Sequence, residues 1–161
     1  LIREVKKMIN YEKAKSLILE NIDMMDYFGN CPNDIIDLAE KTLGIKYPRD
    51  YRDFVSNFGA GNFGSSEIYG VFREDFLNSG VPDSVWLTLL ERKDSNLPEY
   101  LVIIYALGNG ELFCFNYNKL NANGEPTIVS FIPNKNITEY EIVYDSFGDF
   151  LLDIVTSELE I

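Results

Sequence analysis

Histidine is absent from the 161 residues, and basic side chains are scarce: 14 against 26 acidic ones, for a net charge of −12. Without histidine the chain lacks the side chain most often used for proton transfer near neutral pH, and every Ser-His or Cys-His nucleophile pairing is excluded. Cysteine is nearly absent as well. Cys31 and Cys114 are the only two, with neither metal-ligand spacing nor a disulfide framework, so reduced structural thiols are expected. Long apolar runs are missing too. The longest, "YLVIIYAL" from Tyr100 to Leu107, is far too short to span a bilayer. The first twenty residues carry Lys6, Lys7, Lys13 and Lys15 where a signal peptide needs an unbroken apolar segment. The sequence opens on Leu1, not Met, and the span shown reads as cytoplasmic with no membrane segment.

What the chain does have is enough apolar material for a real core, 46% of its residues, and acidity that is not spread evenly. Leu1 to Glu20 holds five basic residues (Arg3, Lys6, Lys7, Lys13, Lys15) against Glu4, Glu12 and Glu20. The remainder therefore carries nine basic against 23 acidic residues, a charge of −14. Such a body repels nucleic acid and anionic membranes and attracts basic proteins. Acidic balance of this kind also serves plain solubility.

The stretch "FGAGNFG", Phe58 to Gly64, contains a literal G-x-G-x-x-G at Gly59, Gly61 and Gly64. A dinucleotide fingerprint needs a strand running into the glycines and a helix leaving them with its N–H groups toward the pyrophosphate. Here the order is reversed. Upstream, Tyr51, Phe54, Val55 and Phe58 fall at helical spacing, after Pro48 as a start signal and before Gly59 as a stop. Downstream, "SEIYGVF" reads as a short strand. A helix C-terminus would face any phosphate, so a helix-to-strand turn is expected, with no nucleotide or other cofactor.

Other helix signals lie at both ends. Pro32, Asn33 and Asp34 open a segment with Ile35, Ile36, Ala39 and Leu43 on one side and Gly44 as its stop. Leu1 to Leu19, with Val5, Ile9, Leu17 and Ile18, is a first helix, followed by the linker "NIDMMDYFGN". Near the C-terminus Ser146 and Asp149 resemble a capping box before Phe147, Phe150, Leu151 and Ile154. The segment "VPDSVWLTLLERK" reads as a helix with Val85, Trp86, Leu89 and Leu90 on its apolar face. Between these, Tyr100 to Ala106 and Glu111 to Tyr117 flank Asn109-Gly110, a hairpin signal, and Asn123-Gly124 leads into the strand "PTIVSFI". With no repeat or linker to divide the chain, the expectation is a single α+β domain over 1–161, an antiparallel sheet covered by N-terminal and C-terminal helices.

At this point the residues resemble a family. The run "AEKTLGIKYPRDYRDFVSNFGAGNFGSSEIYGV" is similar to the signature of the SUKH superfamily (SMI/KNR-like domains): a Glu-containing helix ending at Leu-Gly, a Pro-Asp-Tyr-like helix, a glycine-rich turn, and a strand ending in Tyr-Gly-Val. "ERKDSNLPEYLVIIYALGNGELFCFNYN" and "DSFGDFL" resemble its Leu-Pro-led hairpin and its closing helix, so the likeness runs over 31–161, with 1–30 as an N-terminal helix and linker. Gly59-Ala60-Gly61 departs from the adjacent glycines of many members. The resemblance implies a binding protein of the bacterial immunity type, an antitoxin that neutralises a polymorphic toxin, often a nuclease with a basic surface. Fungal relatives imply the alternative of a regulatory scaffold in cell-wall signalling.

An enzyme built on carboxylates, for example Glu67 with Glu111, is a third reading, but no spacing selects such a pair. No catalytic, cofactor or metal site is therefore expected. Trp86, Phe113, Phe115 and Tyr117 read as core. The residues expected to meet a protein partner lie on the glycine turn and the adjoining sheet edge: Asn62, Phe63, Ser65, Glu67 and Tyr69. Phe63, a large aromatic between glycines, is the one best suited to anchoring in a partner's pocket.

Overall fold

The computed structural model describes residues 2–161, with side chains from Ile9 onward; Leu1 and the side chain of Val5 in the expected first helix lie outside the described residues. Five α-helices, α1 (Ile2–Glu20), α2 (Asn33–Leu43), α3 (Arg49–Phe58), α4 (Ser84–Asp94) and α5 (Phe147–Leu159), surround one sheet. The sheet has seven strands: β1 (Met25–Tyr27), β2 (Gly61–Phe63), β3 (Ser66–Ile68), β4 (Leu101–Ala106), β5 (Leu112–Leu120), β6 (Pro126–Phe131) and β7 (Ile142–Tyr144). Their order in the sheet is their order in the chain, and every neighbouring pair is antiparallel. The α+β reading holds.

One face of the sheet carries the main core. Strand residues Met25, Phe63, Ile68, Val102, Ile104, Phe115 and Ile128 meet the buried faces of α1, α2, α3 and α5 there. Phe147, the first residue of α5, lies at its centre, with Tyr51 at 5.1 Å and Phe54 at 5.6 Å between ring centroids. These are the edge-on approaches aromatic quadrupoles favour. Phe115 is buried and Phe113 and Tyr117 pack on the same core, as their spacing implied. A smaller cluster, with Leu101, Ile103, Cys114, Val129 and Phe131, covers the other face of β4 to β6. Cys31 and Cys114 are free and buried.

The helix boundaries follow their signals. Gly44 ends α2 with φ 71° and Gly59 ends α3 with φ 73°, while the Ser146 hydroxyl accepts the Asp149 N–H at the start of α5. Three details differ from expectation. In the β4–β5 hairpin the positive φ angles belong to Gly108 and Gly110, not to Asn109, because the loop is longer than a two-residue turn. The supposed linker after α1 contains β1, and the glycine turn contains β2; both strands are three residues long, too short for alternation to show, and β1 pairs with β2, which pairs in turn with β3. The strand expected over "SEIYGVF" ends at Ile68, and β7 carried no recognised signal.

α4 corrects a helix face. Its buried residues are Ser84, Val85 and Thr88, whereas Trp86 and Leu90 are half-buried. The reason lies in β4. Leu101 and Ile103 point their backbone groups away from β5, toward an edge that β3 reaches only at Tyr105. α4 lies along the vacant part of that edge. The Ser84 hydroxyl donates to the Ile103 carbonyl, Thr88 Oγ1 accepts the Ile103 N–H at 3.0 Å, and Arg92 Nη2 reaches the Leu101 carbonyl at 3.5 Å. Residues four apart on a helix thus replace a missing strand. Thr88→Val should cost about 1–3 kcal/mol, because it strands a buried N–H, whereas Thr88→Ser should be nearly silent. Equal melting temperatures for the two variants would contradict this.

Candidate functional site

β1, β2 and β3 form a small wing at one end of the sheet, and its two faces differ. Strand alternation sends Met25, Phe63 and Ile68 into the core, all buried. The opposite face receives Asp26, Asn62 and Glu67, which the register places side by side across the three strands. Asp26 is exposed, and Asn62 and Glu67 are half-exposed. The same alternation adds Phe28 beyond β1 and Tyr69 beyond β3. Phe28, 55% exposed, stacks on Phe72 with ring centroids 3.9 Å apart, and the Arg73 guanidinium lies 4.9 Å from the Phe72 ring centre. The result is a strip with a carboxylate–amide–carboxylate row, an aromatic pair and one cation.

Glycines hold this face in place. Gly61 lies so close under β1 that a Cβ there would meet the Asp26 carbonyl at 2.3 Å. A Cβ on Gly70 would sit 1.8 Å from the Gly59 carbonyl, which accepts the Val71 N–H at 3.1 Å. The G-x-G-x-x-G pattern therefore records close backbone approaches and turns. Gly59 N–H is spent on Val55 at the C-terminus of α3, as the reversed flanks implied.

Of the five residues expected to meet a partner, the structure brings Asn62, Glu67 and Tyr69 to this one face. Tyr69 is largely buried; burial and then the Glu67 charge push its phenol up to about 12, so it stays a neutral hydroxyl near pH 7. Ser65 sits at the tip of the β2–β3 hairpin. Phe63 is corrected: it is 0% exposed and faces the core, because it occupies the inward position of β2 opposite Met25. It supports the wing from beneath and offers no surface. The sequence gives no sign that Asp26, Phe28 and Phe72 share this face, because β1 and the residue after it read as a linker.

The tip is tethered to α5. The Ser65 N–H and the hydroxyls of Ser65 and Ser66 all donate to the Glu158 carboxylate, at 3.2, 2.8 and 2.6 Å. The Ser66 and Ser65 bonds hold the Glu158 carboxyl below its usual range. A lowered folded-state value means the tether is present above the ordinary glutamate range and lost as pH falls through the folded value. The protection factor of the Ser65 amide should therefore drop on acidification, and Glu158→Gln should remove that pH dependence. A protection factor that ignores both would show the tether to be incidental.

The described residues contain no group of three or more side chains poised to hold a metal, and no helix long and apolar enough to cross a membrane. No curated protein matches the chain. A family model, SUKH_6, described as SMI1-KNR4 cell-wall, does match it over residues 33–151. That span runs from the start of α2 into α5 and takes in β2 to β7, including two of the three strands of the wing and the hairpin tip. With most of its length matched in this way, the chain belongs to the SMI1-KNR4 family of the SUKH superfamily.

Proposed function

We propose that the protein is an immunity protein, which binds a toxin protein through the open face of the β1–β3 wing and silences it by occlusion, without turnover. The observation that carries this reading is the uncovered Asp26–Asn62–Glu67 row beside the Phe28–Phe72 stack, rigidly backed by glycines. A fixed face with aromatic anchors and a polar rim has the composition of a protein interface. Asn62 and Glu67 contact the partner, Ser65 borders the contact, and Tyr69, being buried, backs it. The segments 21–30 and 61–75 carry five acidic residues, Asp23, Asp26, Glu67, Glu74 and Asp75, against Arg73 alone. A toxin with a basic surface, such as a nuclease, fits that field and would be drawn to it quickly. Family membership supports a binding role, and the absence of histidine from the sequence supports a non-catalytic one.

The test is co-expression with the product of the adjacent reading frame. The protein should restore growth to cells that this product kills. Purified, it should inactivate the product in a fixed ratio, with an association rate that falls steeply as salt rises. Protection by trace amounts, or an adjacent product that neither kills nor binds, would overturn the reading.

A further inference from the structure

The wing ends in a strand whose outer side has no partner. Phe28 N–H is bonded to the Ala60 carbonyl, and Gly64 N–H to the Met24 carbonyl. With the Asp26↔Asn62 register, these bonds mean that residues 24, 26 and 28 face β2 and that Met25 and Tyr27 direct their backbone groups outward. Met25 N–H is taken by the Ile22 carbonyl. The Tyr27 N–H, the Tyr27 carbonyl and the Met25 carbonyl make no hydrogen bond among the described residues. Neither proline nor lysine lies on β1, two of the devices that usually blunt an edge. At the other end of the sheet, the β6–β7 pairing carries a register shift at Ile128 and Val129.

We infer that β1 is a docking edge, onto which an extended segment of the partner protein adds as an antiparallel eighth strand. This rests on the proposed protein-binding role and says how the contact is made. Tyr27 would exchange both of its backbone bonds with one residue of the incoming strand, and the Met25 carbonyl would accept one from the residue two further along. The residues on either side of the first would stand opposite Asp26 and Phe28, both turned to the open face. A basic residue suits the first position and an apolar one the second. That pattern, with Asp23 also exposed nearby, selects a basic strand. A second copy of this chain, at −12, is selected against.

The probe is a blocked peptide of about eight residues with a Val-Thr-Lys-Thr centre, placing Val at Phe28, the first Thr at Tyr27 and Lys at Asp26. Added to the full chain up to about 5 mM, it should shift the Tyr27 amide resonance and slow that amide's exchange. N-methylation of the first Thr should weaken binding at least about fivefold, because its N–H donates to Tyr27. N-methylation of Lys, whose N–H points away from β1, should leave binding unchanged. Followed through the Asp26 and Phe28 amides, because proline has none of its own, Tyr27→Pro should abolish the response and Tyr27→Ala should keep it, since Tyr27 N–H plays no part in the β1–β2 ladder. No response to the peptide, equal effects of the two methyl groups, or a β1-to-β1 dimer by light scattering would each overturn strand addition. If the toxin product still bound the protein, the immunity reading would survive any of these outcomes, and only the docking mode would fall.

Discussion

Replacing Gly70 with alanine should cost the protein about 3 kcal/mol or more and lower its melting temperature by roughly 10 °C. The added Cβ would meet the Gly59 carbonyl at 1.8 Å, well inside any van der Waals contact. The clash has no flexible side chain to absorb it. Gly59 is fixed as the C-cap of α3, with its own Cβ position 2.8 Å from the Gly29 carbonyl. Gly70 is fixed as well, since its N–H donates to the Pro82 carbonyl and its carbonyl accepts the Ser84 N–H at the start of α4. Separation would therefore break the hydrogen bond between Val71 and Gly59 and pull the wing from α4. Gly80→Ala is the control, because its Cβ would meet nothing within 4 Å. If both variants melt alike, the close approach does not hold the wing.

Phe63→Ala should destabilise by about 3–5 kcal/mol, the usual cost of emptying a buried phenylalanine site. The residue is 0% exposed in the core beneath the wing, opposite Met25 and beside the tethered hairpin tip. Chemical denaturation should show a lowered midpoint with an unchanged slope, since the surface exposed on unfolding hardly changes. Phe63→Leu should recover more than half of the loss. A Phe63→Ala protein as stable as the parent would mean that the ring does not pack where the structure puts it.

The fate of Phe63 shows where sequence reasoning reaches and where it stops. Helices announced themselves through side-chain spacing: Tyr51, Phe54, Val55 and Phe58 are all buried on one face of α3, and Ser146 caps α5 as its position implied. The β4–β5 hairpin was legible for the same reason, because long apolar strands carry their own signal. In the wing only β3 was legible. β1, β2 and β3 are three residues each, and β1 becomes a strand by pairing with β2, a segment distant in the chain. Missing β2 meant missing which way its side chains alternate, so Phe63 looked like a loop aromatic and Asp26 like part of a linker. Asn62 and Glu67 were named for lying around the glycine turn and the adjoining sheet edge, and register explains why they share a face. The α4 stripe was misread for a related reason: Ser84 and Thr88 are buried to satisfy the edge of β4, a demand that no local pattern in α4 reveals.

On the proposed function, a partner protein binds the open face of the wing. The most direct measurement is the dissociation constant of the complex with the adjacent reading frame's product, for the parent and for an Asp26→Lys/Glu67→Lys double variant. Both substitutions lie on the solvent side of the wing, so melting temperature should change little. Binding should weaken by about a hundredfold or more, because two attractive positions become repulsive toward a basic surface. An unchanged dissociation constant in a normally folded double variant would place the partner elsewhere and contradict the account.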